Sequence, residues 1–157
     1  MTQADLKEEL KNAMRAKDQV KLAVIRGLIT AVTNDLVSKE RGPDGTLSDD
    51  ELLSIVMRAA KQRKDSIQQF IDGGRPELAE GEKAELAILE TMLPRQMSRD
   101  EIVATATAKA AEMGVTDLSD DKAGKTKANM LMGSLMKDLK GKADGTLVKE
   151  IVDGMFA

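Results

Sequence analysis

The chain has no cysteine, no histidine, no tryptophan and no tyrosine, and only two phenylalanines among its 157 residues. Without cysteine there is no disulfide, no thiolate nucleophile and no zinc–sulfur site. The absence of histidine removes the commonest general base, every imidazole-centred triad and the commonest transition-metal ligand. With aromatics at 1%, the core must be built from Leu, Ile, Val, Ala and ten Met, a set that suits helix packing better than sheets. No run approaches the roughly 20 apolar residues of a membrane span. The opening Met1-Thr2-Gln3-Ala4-Asp5 lacks the basic start and apolar stretch of a signal peptide. A cytoplasmic protein with no membrane contact is expected.

What is present is ordinary for a folded protein: 41% hydrophobic and 32% charged residues. The length admits one domain or two small ones with a real core. A net charge of −3 from 24 basic and 27 acidic residues argues against broad, nonspecific nucleic-acid binding, and leaves room for local basic patches.

Helical periodicity recurs along the chain. Leu6, Leu10, Ala13 and Met14 form one stripe that ends near Ala16. Asp18 is placed to cap a second helix over Gln19–Arg41. That helix is apolar on most of its surface (Val20, Leu22, Val24, Ile25, Leu28, Ile29, Val32, Leu36), as expected of a central helix. Gly42-Pro43-Asp44-Gly45 reads as a turn. Ser48 and Glu51 form a capping box for a third helix to about Asp72, and Pro76 suits the first position of a fourth, to about Met92. Leu93-Pro94-Arg95-Gln96-Met97 breaks the pattern. Ser98 and Glu101 then box a fifth helix to about Glu112, and Gly114–Gly124 reads as a loop that is helical at most in part. Leu131, Met132, Leu135, Met136 and Leu139 make the next stripe, stopped by Gly141. Asp144 caps a last helix bearing Leu147, Val148, Ile151, Val152 and Met155. The expectation is all-α, with an N-terminal four-helix up-and-down bundle over residues 1–96 and a small C-terminal three-helix bundle over 97–157.

Apparent catalytic signatures fail at named positions. Gly124-Lys125-Thr126 resembles the end of a phosphate-binding loop, but Ser119 stands where that loop needs glycine, so a loop approaching a helix is the better reading. Gly133-Ser134 is half of a nucleophile elbow without a second glycine or a base, which leaves Gly133 as a close helix contact in the core. Asp49-Asp50-Glu51 and Asp120-Asp121 lack calcium-loop register, and acidic residues in a first turn already answer the helix dipole. No catalytic residue, metal ligand or cofactor is expected.

Arg63 falls at the centre of the stripe formed by Leu52, Val56, Ala59, Ala60, Ile67 and Phe70. An inward arginine needs a partner, and Glu85 or Glu90 on the fourth helix can supply it. The pair reads as a structural device fixing helix register; a binding pocket around Arg63 is the alternative. Two basic patches remain. Arg58, Lys61 and Lys64 are diluted by Asp65. The stronger patch is Lys122, Lys125, Lys127, Lys137, Lys140 and Lys142, offset only by Asp138 within its span. A solvated lysine face is the plain reading, and contact with a phosphate backbone the functional one. With so few aromatics, such contact would read shape and charge rather than stack on bases.

Four segments, taken in order, are similar to the YqeY family: Ala13-Met14-Arg15-Ala16-Lys17-Asp18, Lys61-Gln62-Arg63-Lys64-Asp65-Ser66-Ile67, Leu93-Pro94-Arg95-Gln96 and Lys140-Gly141-Lys142-Ala143-Asp144-Gly145. That family resembles a stand-alone form of the tail of the GatB subunit of the glutamine-dependent aspartyl/glutamyl-tRNA amidotransferase. The resemblance implies a four-helix domain followed by a three-helix domain. It also implies a noncatalytic role, in tRNA binding or in association with the amidotransferase or other translation proteins. A carbon–nitrogen ligase label would follow from family transfer alone, because the amidase and kinase-like parts of such enzymes are absent. The alternative is a protein-interaction adaptor in a translation or stress complex, without RNA contact. Two positions depart from the family pattern. Asn129-Met130 stands where relatives tend to carry Gly-Lys, and Lys142 replaces an arginine, removing a bidentate phosphate donor.

Overall fold

The computed structural model describes residues 1–42, 44–115 and 122–155. These residues form seven α-helices and no strand: α1 (Gln3–Ala16), α2 (Gln19–Ser38), α3 (Asp49–Asp72), α4 (Pro76–Thr91), α5 (Arg99–Glu112), α6 (Lys122–Asp138) and α7 (Gly145–Met155). The chain is all-helical. It packs as two units, Met1–Pro94 with α1 to α4 and Arg95–Ala157 with α5 to α7.

Local chemistry sets most helix starts. Ser48 with Glu51 and Ser98 with Glu101 form reciprocal capping boxes on α3 and α5. A third box, Thr2 with Asp5, opens α1 with the shorter Asp in the place usually held by Glu or Gln. Asp18 accepts from the Lys21 amide at the start of α2, and Pro76 opens α4.

Two boundaries differ from the sequence reading. α2 stops at Ser38 rather than Arg41, because Glu40 turns left-handed (φ 56°) and the Arg41 amide bonds back to Leu36 O at 3.0 Å. This is a Schellman-type end without glycine at the left-handed position. α6 starts at Lys122, inside the segment read as loop; glycine at 124 suggested a break, yet Lys and Ala around it are good helix formers. Pro43 of the proposed turn, and residues 116–121 with Ser119 and the Asp120-Asp121 pair, lie outside the described residues.

In the first unit α2 packs against α1, α3 and α4 and buries Leu22, Val24, Ile25, Leu28, Val32 and Leu36. Its opposite side carries exposed Val20, Ala23 and Gly27, so a helix apolar nearly all round still keeps one side in solvent. The second unit closes Ile102, Ala106 and Ala110 of α5 over Leu131 and Leu135 of α6 and Val148, Ile151 and Val152 of α7. Arg99–Glu150 (2.9 Å) ties α5 to α7, and Lys109–Asp138 (3.1 Å) ties α5 to α6.

Candidate nucleic-acid interface

The lysine patch sits on α6 and on the turn between α6 and α7. Lys125, Lys127, Lys137, Lys140 and Lys142 are all exposed, and none forms an ion pair with a carboxylate among the described residues. The side chain of Lys122 lies outside the described residues. Asp138, the acid within the patch, is turned toward Lys109. Its carboxylate bonds that ammonium and holds the Lys109 pKa above the ordinary lysine value.

The patch is not one face. At roughly 3.6 residues per turn, Lys125 and Lys127 point about 200° apart around α6. Lys137 falls about 80° from Lys127 and lies in the last turn, just before the α6–α7 turn. Exposed Met130 and Met136 are interleaved with the lysines.

The turn itself alternates. Leu139, Gly141 and Ala143 are buried, whereas Lys140 and Lys142 face solvent. Gly141 has a φ of 77°, a left-handed value that glycine tolerates without a steric penalty. The Lys142 and Ala143 amides both return to Leu139 O, at 2.9 and 3.1 Å. From the start of the second unit, the Gln96 side-chain amide donates to Gly141 O at 2.7 Å. The Met97 amide donates to Lys142 O, also at 2.7 Å. Asp144 Oδ1 then accepts from the Thr146 and Leu147 amides and caps α7. Two segments singled out by sequence, Leu93–Gln96 and Lys140–Gly145, are therefore joined by hydrogen bonds. Sequence spacing gave no sign of this, since the Gln96–Gly141 bond spans 45 positions.

Other candidates resolve differently. Arg63 pairs with Glu82 at 3.0 Å and Glu85 at 2.9 Å, and its side chain is 38% exposed rather than interior. Glu90 does not reach it and lies 3.7 Å from Lys64. Glu82, one turn before Glu85 on the same face of α4, is the partner that sequence reasoning missed; i, i+3 spacing was the available signal. Lys61 pairs with Asp65, leaving Arg58 as the cation of that patch with no carboxylate paired to it among the described residues. Gly124-Lys125-Thr126 lies in the first turns of α6, with Gly124 buried, rather than in an approach loop. Gly133 is exposed, and a Cβ there would meet nothing within 4 Å, so it is not a close helix contact.

Glu51 belongs to the α2–α3 junction. It accepts from the Ser48 amide (2.8 Å), Arg41 Nη1 (2.9 Å) and Lys39 Nζ (2.9 Å). The Ser48 amide, then Arg41 and Lys39, hold its carboxyl far below the usual range. A cleft of about 710 Å³ in the first unit is lined by Asp5, Glu9, Asp49 and Asp50 over Leu53 and Met92. Its acidity is unsuited to phosphate, and it shares no residue with the lysines.

Comparison with known proteins gives one consistent set of relatives. The family model described as "Yqey-like protein" matches residues 3–155. Three similar proteins share one name, "Altered inheritance of mitochondria protein 41, mitochondrial". The one from Pyrenophora tritici-repentis is 32% identical over 138 residues, covering 88% of this chain and 71% of that protein. The Kluyveromyces lactis protein is 38% identical over 102 residues, covering 63% and 53% respectively. The Saccharomyces cerevisiae protein is 30% identical over 133 residues, covering 83% and 68%. The match thus spans about half the length of the Kluyveromyces lactis protein and 46% of its Lachancea thermotolerans counterpart. These names overturn the expectation of a cytoplasmic protein. That expectation rested on lacking a signal peptide and an apolar span, and neither feature separates one aqueous compartment from another. Among the described residues no helix is long and apolar enough to cross a membrane.

Proposed function

This chain belongs to the YqeY family, and from that premise we propose that it is a noncatalytic accessory protein that binds tRNA or works beside a tRNA amidotransferase. The supporting observation is the set of exposed lysines on α6 and the following turn, with no carboxylate paired to them among the described residues. Ammonium groups left free in this way suit a phosphate backbone, where neutralised phosphates release condensed counterions. The noncatalytic half of the reading is supported by the missing histidine and cysteine. The same reading takes α1 to α4 as a four-helix up-and-down bundle and α5 to α7 as a three-helix bundle. The packing of α2 against its three neighbours, and the mutual packing of α5, α6 and α7, support it.

A second reading, a protein-interaction adaptor without RNA contact, is favoured by Met130, which is 61% exposed on the same helix. Methionine at a surface adapts to varied apolar partners. Titrating the protein with bulk tRNA at two salt concentrations separates the two. Phosphate contact requires binding at low salt that weakens steeply as salt rises. It also requires weaker binding with Lys140 and Lys142 changed to Ala. No binding at low salt leaves the adaptor reading.

A further inference from the structure

The sequence treats six lysines as equivalent, but the fold does not. Those on α6 are spread around more than half of the helix circumference and so do not converge on one side. Lys140 and Lys142 differ, because the backbone between and around them is held from several sides. Buried Leu139, Gly141 and Ala143 anchor the turn inward. The Lys142 and Ala143 amides are committed to Leu139 O. The carbonyls of Gly141 and Lys142 are committed to Gln96 and Met97.

Those two carbonyl bonds have an electrostatic consequence. A carbonyl oxygen facing a phosphate repels it, and a loose lysine turn is free to present its carbonyls outward. Here both oxygens accept hydrogen bonds from the start of the second unit, while both lysine side chains are exposed to solvent. A fixed backbone also lowers the entropy lost when the lysines settle on a ligand. Lys137, in the last turn of α6, adds a third charge beside the turn.

Resting on the tRNA-binding reading, we infer that the α6–α7 turn, with Lys137, Lys140 and Lys142, is the phosphate-contacting element, and that Gln96 is its positioning residue. The ligand chemistry is the sugar–phosphate backbone of a folded RNA, contacted through charge and without base readout. Gln96 touches no phosphate itself; it acts by holding Gly141 O.

The test is the slope of log affinity against log salt for bulk tRNA. Each lost phosphate contact reduces that slope by about 0.7 to 0.9. Lys140→Ala/Lys142→Ala is expected to lower it by about 1.4 to 1.8, and by more than Lys125→Ala/Lys127→Ala does. Gln96→Leu, which keeps every charge, is expected to lower the slope by about 1 and to weaken binding several-fold at low salt. A variant that merely destabilised the unit would reduce the active fraction and leave the slope alone. If Gln96→Leu does not fold, Gly141→Ala perturbs the same turn through its left-handed backbone and is expected to act in the same direction. A folded Gln96→Leu or Gly141→Ala protein with wild-type slope overturns the inference. So does a larger loss from the Lys125/Lys127 pair. Wild-type protein that binds no tRNA at low salt overturns the underlying reading instead, and the two failures are told apart by that first titration.

Discussion

Glu51 gathers a backbone amide, a guanidinium and an ammonium on one carboxylate, and this makes it the residue most exposed to acid. Its pKa is lowered, first by the Ser48 amide and then by Arg41 and Lys39, so the folded state prefers the ionised form. The stability it contributes is complete above the ordinary carboxylate pKa and is lost as pH falls through the depressed one. Asp5, Glu9 and Glu101 are shifted in the same direction. Thermal melts from about pH 7 to about pH 3 are expected to show a falling Tm, with a shallower fall in Glu51→Gln. Equal slopes for the two proteins would remove Glu51 from the account. Arg63 is a milder case. Its ion pairs with Glu82 and Glu85 are partly solvated, and exposed pairs contribute about 0 to 1 kcal/mol each. Arg63→Met is therefore expected to cost about 0 to 2 kcal/mol in a denaturant titration and to leave tRNA affinity unchanged. A stable variant that lost tRNA binding would make Arg63 a binding residue.

At the scale of helices, caps and glycines give the sharpest expectations. Ser98 caps α5 through the Glu101 amide, and Ser98→Ala should cost about 1 kcal/mol. Gly27 lies inside α2, and a Cβ there would meet nothing within 4 Å. Gly27→Ala should therefore raise stability by about 0.5 to 1 kcal/mol, seen as a higher urea midpoint with unchanged m. A lower midpoint would mean that this side of α2 has no room for a methyl. The same scale shows what sequence could disclose. Capping boxes at Ser48 and Ser98 were legible because both partners lie three residues apart in the chain. The α2 terminus was not, because it depends on Glu40 adopting a backbone conformation that glycine usually takes. The start of α6 was missed because Gly124 reads as a breaker, whereas burial against its unit tolerates it within a helix. Gly133 misled in the opposite way: its small size suggested a close contact, and it faces solvent.

Across the whole chain, charge is partitioned rather than merely summed. Met1–Pro94 contains fourteen basic and seventeen acidic residues, and Arg95–Ala157 contains ten of each. The neutral second unit nevertheless presents free lysines, because most of its described acids are engaged elsewhere. Glu101 caps α5 and meets Arg95, Asp138 meets Lys109, Glu150 meets Arg99, and Asp144 caps α7. Composition could locate the lysines but not where the neighbouring acids turn, so the site was legible as a list of residues and not as a surface. Chemical acetylation of lysines, with and without tRNA and read by peptide mass spectrometry, reports which ammonium groups a bound RNA covers. Lys137, Lys140 and Lys142 are expected to become protected when tRNA is bound, while exposed Lys11 and Lys83 of the first unit stay reactive. Equal reactivity of all five lysines in the presence and absence of tRNA would contradict that expectation.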